Sequence, residues 1–207
     1  MLKELLLRYP ALSDCSEAIT SALDIIIDCY KCGGKLLLCG NGGSAADCDH
    51  IVGELLKDFR IKRPLGDDLR ASMCERSPRL SESVLDDLQL GLPAISLPSI
   101  TGFNTAFCND RSPELVYAQG VMALSRADDV LIAISTSGNA KNVLRAAEVA
   151  KGLGLDVIGL SGMTGGELRS LCDACICVSE SETYKIQELH IAIYHYLCAA
   201  VEKHFFD

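Results

Sequence analysis

His50 and Glu54 stand four residues apart in "DCDHIVGELL", a spacing that on a helix sets them about 40° apart on one face. An imidazole beside a carboxylate can pass a proton as an acid–base pair, or supply two of the ligands of a zinc ion. Gln187 and His195, in "IQELHIAIYH", are eight residues apart, about 80° around a helix and two turns along it. Together the four form a plausible nitrogen and oxygen set for zinc. Each has an ordinary alternative. His50 can be a hydrogen-bonded helix histidine, Glu54 a surface carboxylate near Lys57, and Gln187 an exposed residue in a first helical turn. His195, inside "IAIYHYL", is harder to set aside, because an ionisable group on an apolar helix face is costly without a partner. His190, five residues before His195, does not share its face and reads as structural; His204 reads as surface.

A second chemistry lies in two glycine- and hydroxyl-rich stretches. "CGNGGSAA" places Asn41, Gly42, Gly43 and Ser44 between an apolar run and a helical pattern, and "ISTSGNA" does the same with Ser135, Thr136, Ser137 and Gly138. Glycine lets a backbone approach a ligand, and the helix start beyond it offers unpaired amides and a partial positive charge. Such a junction suits an anion. Neither stretch carries the Gly-Lys-Ser/Thr of a Walker loop, and "GNGGSA" lacks the last glycine of a dinucleotide fingerprint, so a sugar phosphate fits better than a nucleotide. The plainer alternative is a pair of ordinary strand–helix turns capped by Ser44 and Asn139.

The elements that must hold these groups follow from the apolar pattern. Residues 14–31 have amphipathic helical spacing, stopped by Gly33-Gly34. Residues 35–40, 93–97, 129–134, 156–160 and 174–178 read as short buried strands. Helical patterns cover 44–59, 113–125, 140–152, 165–171 and a long final stretch, 184–205. Short apolar strands alternating with helices predict an α/β three-layer doubly wound sandwich around a parallel sheet of about five strands, formed by residues 1–207 as one domain. In such folds ligands bind at the carboxyl ends of strands, where both glycine-containing junctions fall. Residues 64–91 break the rhythm. They are acidic and weakly periodic, and read as a long insertion with one short helix at 82–88, a candidate lid.

The bulk properties narrow the class. The 207 residues are 49% hydrophobic with net charge −9, and no Lys/Arg cluster stands out, which argues against nucleic acid as a partner. No apolar run reaches the length of a membrane span, and the N-terminus lacks a secretion-signal pattern. Eleven cysteines include Cys29-x-x-Cys32 and Cys172-x-x-Cys175-x-Cys177. The surroundings do not suit a zinc ribbon, and the expectation is reduced thiols packed as small hydrophobes in a cytoplasmic protein.

"CGNGGSAADCDH…GE", "ISTSGN" and "IQELHIAIYH" together resemble the sugar isomerase (SIS) domain and, within it, the bacterial phosphoheptose isomerases. The resemblance spans nearly the whole chain except 64–91. It implies a homotetramer with active sites between subunits, one zinc in each, and interconversion of sedoheptulose 7-phosphate with an aldoheptose 7-phosphate through a cis-enediol. It implies His50, Glu54, Gln187 and His195 as metal ligands. Asn41, Gly42, Gly43, Ser44, Glu54, Asn109, Asp110, Ser135, Thr136, Ser137 and Gln187 are the implied substrate contacts. Moving a proton between adjacent carbons needs a base at the carbon and an acid at the oxygens. Glu54 is the expected base and His195 its acid–base partner, although a carboxylate bound tightly to zinc is a weaker base. The 14–31 helix is the expected tetramer interface, unless it covers the sheet instead.

Three departures bear on the exact sugar: Ala140 where the enterobacterial pattern has serine, Tyr184 where an aspartate contacts the sugar chain, and the insertion. The alternatives are a non-catalytic relative that binds a replication initiator, a sugar-phosphate sensor, or an isomerase of another sugar phosphate. The presence of both Glu54 and His195 favours an enzyme.

Overall fold

The computed structural model describes residues 1–207. In chain order the elements are α1 (Leu2–Arg8), α2 (Ser16–Lys31), β1 (Leu36–Cys39), α3 (Gly43–Leu56), α4 (Asp67–Arg76), α5 (Glu82–Asp87) and β2 (Ala94–Ser96). Then come α6 (Thr101–Asp110), α7 (Val116–Leu124), β3 (Val130–Ile134), α8 (Lys141–Gly152), β4 (Asp156–Ser161), β5 (Ala174–Cys177) and α9 (Thr183–Phe206). The five strands form one sheet in the order β2-β1-β3-β4-β5, and every pairing is parallel.

The strand sequences explain why the sheet has two covered faces. "LLLC" of β1 and "VLIAI" of β3 are buried at every position, as a parallel sheet sandwiched between helices requires. Successive side chains point to opposite faces. Leu36, Leu38, Ile132 and Ile134 join a core with residues of α2, α3 and α9, while Leu37, Cys39, Leu131 and Ala133 join a second core with α7 and α8. The apolar stripe of α2, with Ile19, Ala22, Ile26 and Cys29 buried, is therefore spent on covering the sheet. All eleven cysteines are free thiols.

The insertion departs from its expected form. It holds two helices, α4 and α5, rather than one, with Arg70 of α4 paired to Glu82 and Asp86 of α5. Helix α4 buries no residue, so its sequence carries no apolar stripe for a periodicity argument to detect; α6 was also missed, its stripe being only Phe103, Phe107 and Cys108, partly buried against the second core. The stem of the insertion closes at the carboxyl end of α3. Leu90 N–H donates to the Arg63 carbonyl (2.8 Å) and Leu92 N–H to that of Leu55 (2.9 Å). This stem is roughly 20 Å along α3 from Gly43, so the insertion is not rooted as a lid over the glycine loop of its own chain.

One buried ion pair fixes the chain after α3. Arg63 and Glu202 side chains are fully buried, 2.9 Å apart. Arg63 also donates to the carbonyls of Leu55 (2.7 Å) and Glu54 (3.2 Å). Glu202 accepts the backbone N–H groups of Phe59 and Arg60, each at 2.8 Å. Burial pushes the Glu202 carboxyl up, but the Phe59 and Arg60 amides and the Arg63 guanidinium outweigh it and hold it below its ordinary value. A paired, fully hydrogen-bonded buried charge of this kind is costly to break from one side.

Candidate active site

β1 and β3 are neighbours, and the chain leaves them in opposite directions across the sheet, so the two glycine-containing loops meet at the topological switch point. This is where open α/β sheets take ligands. Asn41 of the first loop and Asn142 at the start of α8 exchange two amide hydrogen bonds of 2.9 Å. Tyr117 O–H donates to the Gly40 carbonyl (2.7 Å). Gly42, at φ 56°, begins α3, and neither α3 nor α8 carries a side-chain cap. The capping roles considered for Ser44 and Asn139 are thus corrected. Ser44 is buried within the first turn, and the Asn139 side chain binds the Ser137 carbonyl and the Glu167 N–H. The Ser44 and Ala45 amides turn back onto the Asn41 and Gly42 carbonyls, and the positive end of α3 that they form still faces the loop, where an anion is favoured.

The second loop supplies hydroxyls at graded depth: Ser135 is buried, Thr136 half-buried and Ser137 exposed. Ser137 Oγ accepts the Asn139 N–H at 3.1 Å, which leaves its hydroxyl proton to donate outward. Gly138 is required here, because at φ +67° a Cβ would lie 1.9 Å from the Gly165 carbonyl oxygen. Gln187, in the first turn of α9, reaches the other loop: a Cβ on Gly43 would fall 2.3 Å from its Nε2.

Farther along α3 and α9 the second cluster assembles. His50 Nε2 lies 3.5 Å from His195 Nε2 and 3.2 Å from Glu54 Oε1. Glu54 Oε2 is buried without a hydrogen-bond partner, its nearest cation being Lys57 Nζ at 3.6 Å. Burial, then the neighbouring His50, lowers the His195 pKa, with Glu54 opposing. Two ligands of one tetrahedral zinc stand about 3.3 Å from each other, so both short separations suit edges of a shared coordination sphere. The orphaned Glu54 oxygen fits the same donor set. The three do not close a metal cage within one chain, and Gln187 does not join them there. It sits two turns up α9, about 12 Å along the axis.

Other expected residues fall elsewhere. Asn109 and Asp110 end α6, exposed, their side chains bonded to each other at 2.9 Å, and neither side chain hydrogen-bonds to either loop. His190 is fully buried with Nε2 3.3 Å from the Ser161 carbonyl. Burial brings its pKa down to about 4. It is structural, and His204 is on the surface. Sequence reasoning missed Asn142 and Phe59. Phe59 packs its ring 5.6 Å from that of His195, beside a cleft of about 280 Å³ that also includes Arg8 and Arg60. Nothing in the local sequence marks either residue, since both act through contacts across the fold.

Models of the SIS domain match residues 105–200 and 9–91, so fold and loops define the chain as a SIS-domain protein. A phosphoheptose isomerase of Nitratiruptor sp. is 44% identical over 187 residues, 90% of this chain and 86% of that protein. One from Helicobacter pylori is 38% identical over 94% of this chain and 88% of its own length. The solved phosphoheptose isomerase of Neisseria gonorrhoeae superposes with a TM-score of 0.72 at 31% identity, covering 97% of this chain and 91% of that one. The Francisella tularensis enzyme gives 0.75 at 28%, covering 97% and 94%. The chain belongs to the phosphoheptose isomerase family.

Proposed function

We propose that this protein is a phosphosugar isomerase of the phosphoheptose isomerase type, interconverting sedoheptulose 7-phosphate and an aldoheptose 7-phosphate. The observation that carries the reading is the alignment of two chemistries along one pair of helices. Uncapped helix starts and hydroxyls lie at Gly43 and Ser135–Ser137, and an imidazole–carboxylate cluster lies at His50, Glu54 and His195. Gly43 and His50 are seven residues apart, roughly 10 Å along α3. A triose phosphate is too short for that span, whereas an extended long-chain ketose phosphate can place its phosphate at one end and its carbonyl at the other.

In this reading Asn41, Gly42, Gly43 and Ser44 hold the phosphate with Ser135, Thr136 and Ser137, and Gln187 orients the sugar chain beside Gly43. Glu54 takes the proton from the carbon next to the carbonyl and returns it to the neighbouring carbon. His195, whose uncharged form burial favours, moves the proton between the two oxygens. Zinc held by His50, Glu54 and His195 would act as a Lewis acid toward those oxygens. The buried, unpartnered Glu54 Oε2 gives the carboxylate one oxygen for a ligand and one for the proton. Asn109 and Asp110 are assigned to sugar hydroxyls on the resemblance alone. A homotetramer with sites between subunits belongs to the same proposal. It is favoured by the open cleft against His195.

The test is turnover of sedoheptulose 7-phosphate by the purified, zinc-loaded protein, followed by NMR, with pentulose and hexulose phosphates in parallel. Turnover of a shorter ketose in preference would assign another sugar. Binding without turnover of any would favour the sensor or regulator reading.

A further inference from the structure

Tyr194 precedes His195 on α9 and is almost fully buried, with its hydroxyl as the one polar point of a core side chain. That hydroxyl donates to Asp47 Oδ1 at 3.3 Å and lies 2.9 Å from His50 Nδ1. Asp47 sits one turn before His50 on α3 and is itself buried, with its second oxygen lacking any partner. A phenol has one proton. If it is given to the carboxylate, the oxygen can only accept from the imidazole.

We infer that Asp47 and Tyr194 are positioning residues that fix His50 as the Nδ1–H tautomer and aim its Nε2 lone pair at the site shared with Glu54 and His195. The inference rests on the proposed metal role of His50. The tautomer matters because the alternative has its own reward: a proton on Nε2 could be donated to Glu54 Oε1, 3.2 Å away, and would block that nitrogen as a ligand. The Asp47–Tyr194 pair tips the choice the other way. With Nε2 unprotonated, a lone pair and a carboxylate oxygen face each other, an arrangement a cation between them relieves. Outer hydrogen bonds that orient a ligating histidine in this manner commonly contribute 10- to 100-fold in metal affinity. Nothing in the residue types at 47 and 194 reveals this; it depends on α3 and α9 packing face to face.

The test is Tyr194→Phe, which keeps the ring and removes the hydroxyl. Long-range ¹H–¹⁵N spectra of the metal-free protein at about pH 8, where free imidazole is neutral, report which ring nitrogen of His50 carries the proton. The wild type should show the proton on Nδ1, and Tyr194→Phe should shift it toward Nε2. Zinc affinity, measured by chelator competition, should fall about tenfold or more. An unmoved His50 tautomer with zinc affinity within twofold of wild type would overturn the inference. His50→Ala separates the two readings. Zinc affinity unaffected by that change overturns the metal role of His50 itself, whereas a large loss there with none in Tyr194→Phe overturns only the positioning role.

Discussion

His50 on α3 and His195 on α9 bring their Nε2 atoms to 3.5 Å across 145 residues of sequence, with the Glu54 carboxylate 3.2 Å from the first of them. Three groups that compete for protons are thus confined to one spot. Glu54 is the member with an oxygen to spare. Glu54→Gln keeps the shape and removes the base, so isomerisation should fall by a factor of about 10² to 10⁴, the usual contribution of a positioned general base. Assembly size, read by sedimentation, should be unchanged. Activity within tenfold of wild type would take Glu54 out of the proton transfer.

Two glycines separate binding from folding. In Gly43→Ala the nearest atoms to the new methyl are the far end of the Gln187 side chain, which can swing away. Melting temperature should therefore hold within about 2 °C, a change of less than about 1 kcal/mol, while KM rises. In Gly138→Ala the methyl meets the Gly165 backbone at a positive φ, and the fold should lose more than about 1 kcal/mol. Equal stability losses in the two variants would contradict the placement of Gln187 at the glycine loop.

The proposed phosphate site has its own variant. Ser137→Ala removes the exposed hydroxyl of the second loop, a donor to a charged oxygen worth about 1.5 kcal/mol or more. KM for the phosphosugar should rise about tenfold, with unfolding in urea unaltered. Unchanged KM and kcat would move the anion off this loop.

Arg63 and Glu202 tie the segment that carries Phe59 to α9. Arg63→Met leaves the Glu202 carboxylate buried with only the Phe59 and Arg60 amides, and denaturant unfolding should show a loss of about 3–5 kcal/mol. The double variant Arg63→Met/Glu202→Leu should recover part of it, because no charge is then stranded. A single variant as stable as wild type would mean that water reaches Glu202 once the guanidinium is gone.

The sheet and both loops were legible in the sequence because their signals are local. Buried parallel strands read as unbroken apolar runs, "LLLC" and "VLIAI", and glycine with hydroxyls follows each directly. His50 with Glu54 was legible for the same reason, since four residues on a helix is a fixed geometry. Helices α4 and α6 were not: α4 buries no residue and shows no apolar stripe, and the stripe of α6 is a short one, Phe103 and Phe107 with Cys108, that only half-buries against the core. The separation of Gln187 from the cluster follows from helix rise alone, yet only the packing of α9 on α3 shows which end of α9 meets Gly43. Asp47, Tyr194 and Asn142 bond across elements 101 to 147 residues apart on pairing that no window of sequence contains, apart from the single turn between Asp47 and His50.

The buried His190 sets a pH dependence of stability. Its pKa is brought down to about 4 in the folded protein, against about 6.5 in an unfolded chain. Between those values the unfolded state binds the extra proton, so stability rises with pH across the interval. The contribution is complete above about pH 6.5 and is lost as pH falls toward 4, amounting to about 3 kcal/mol in all. His190→Gln can still donate to the Ser161 carbonyl but does not titrate. Carboxylates add their own slope in the same range, so the measurement is the difference between the two proteins in urea unfolding at about pH 7 and pH 4.5. Wild type should lose more stability than His190→Gln on that descent; parallel losses would mean that His190 charges freely in the folded state.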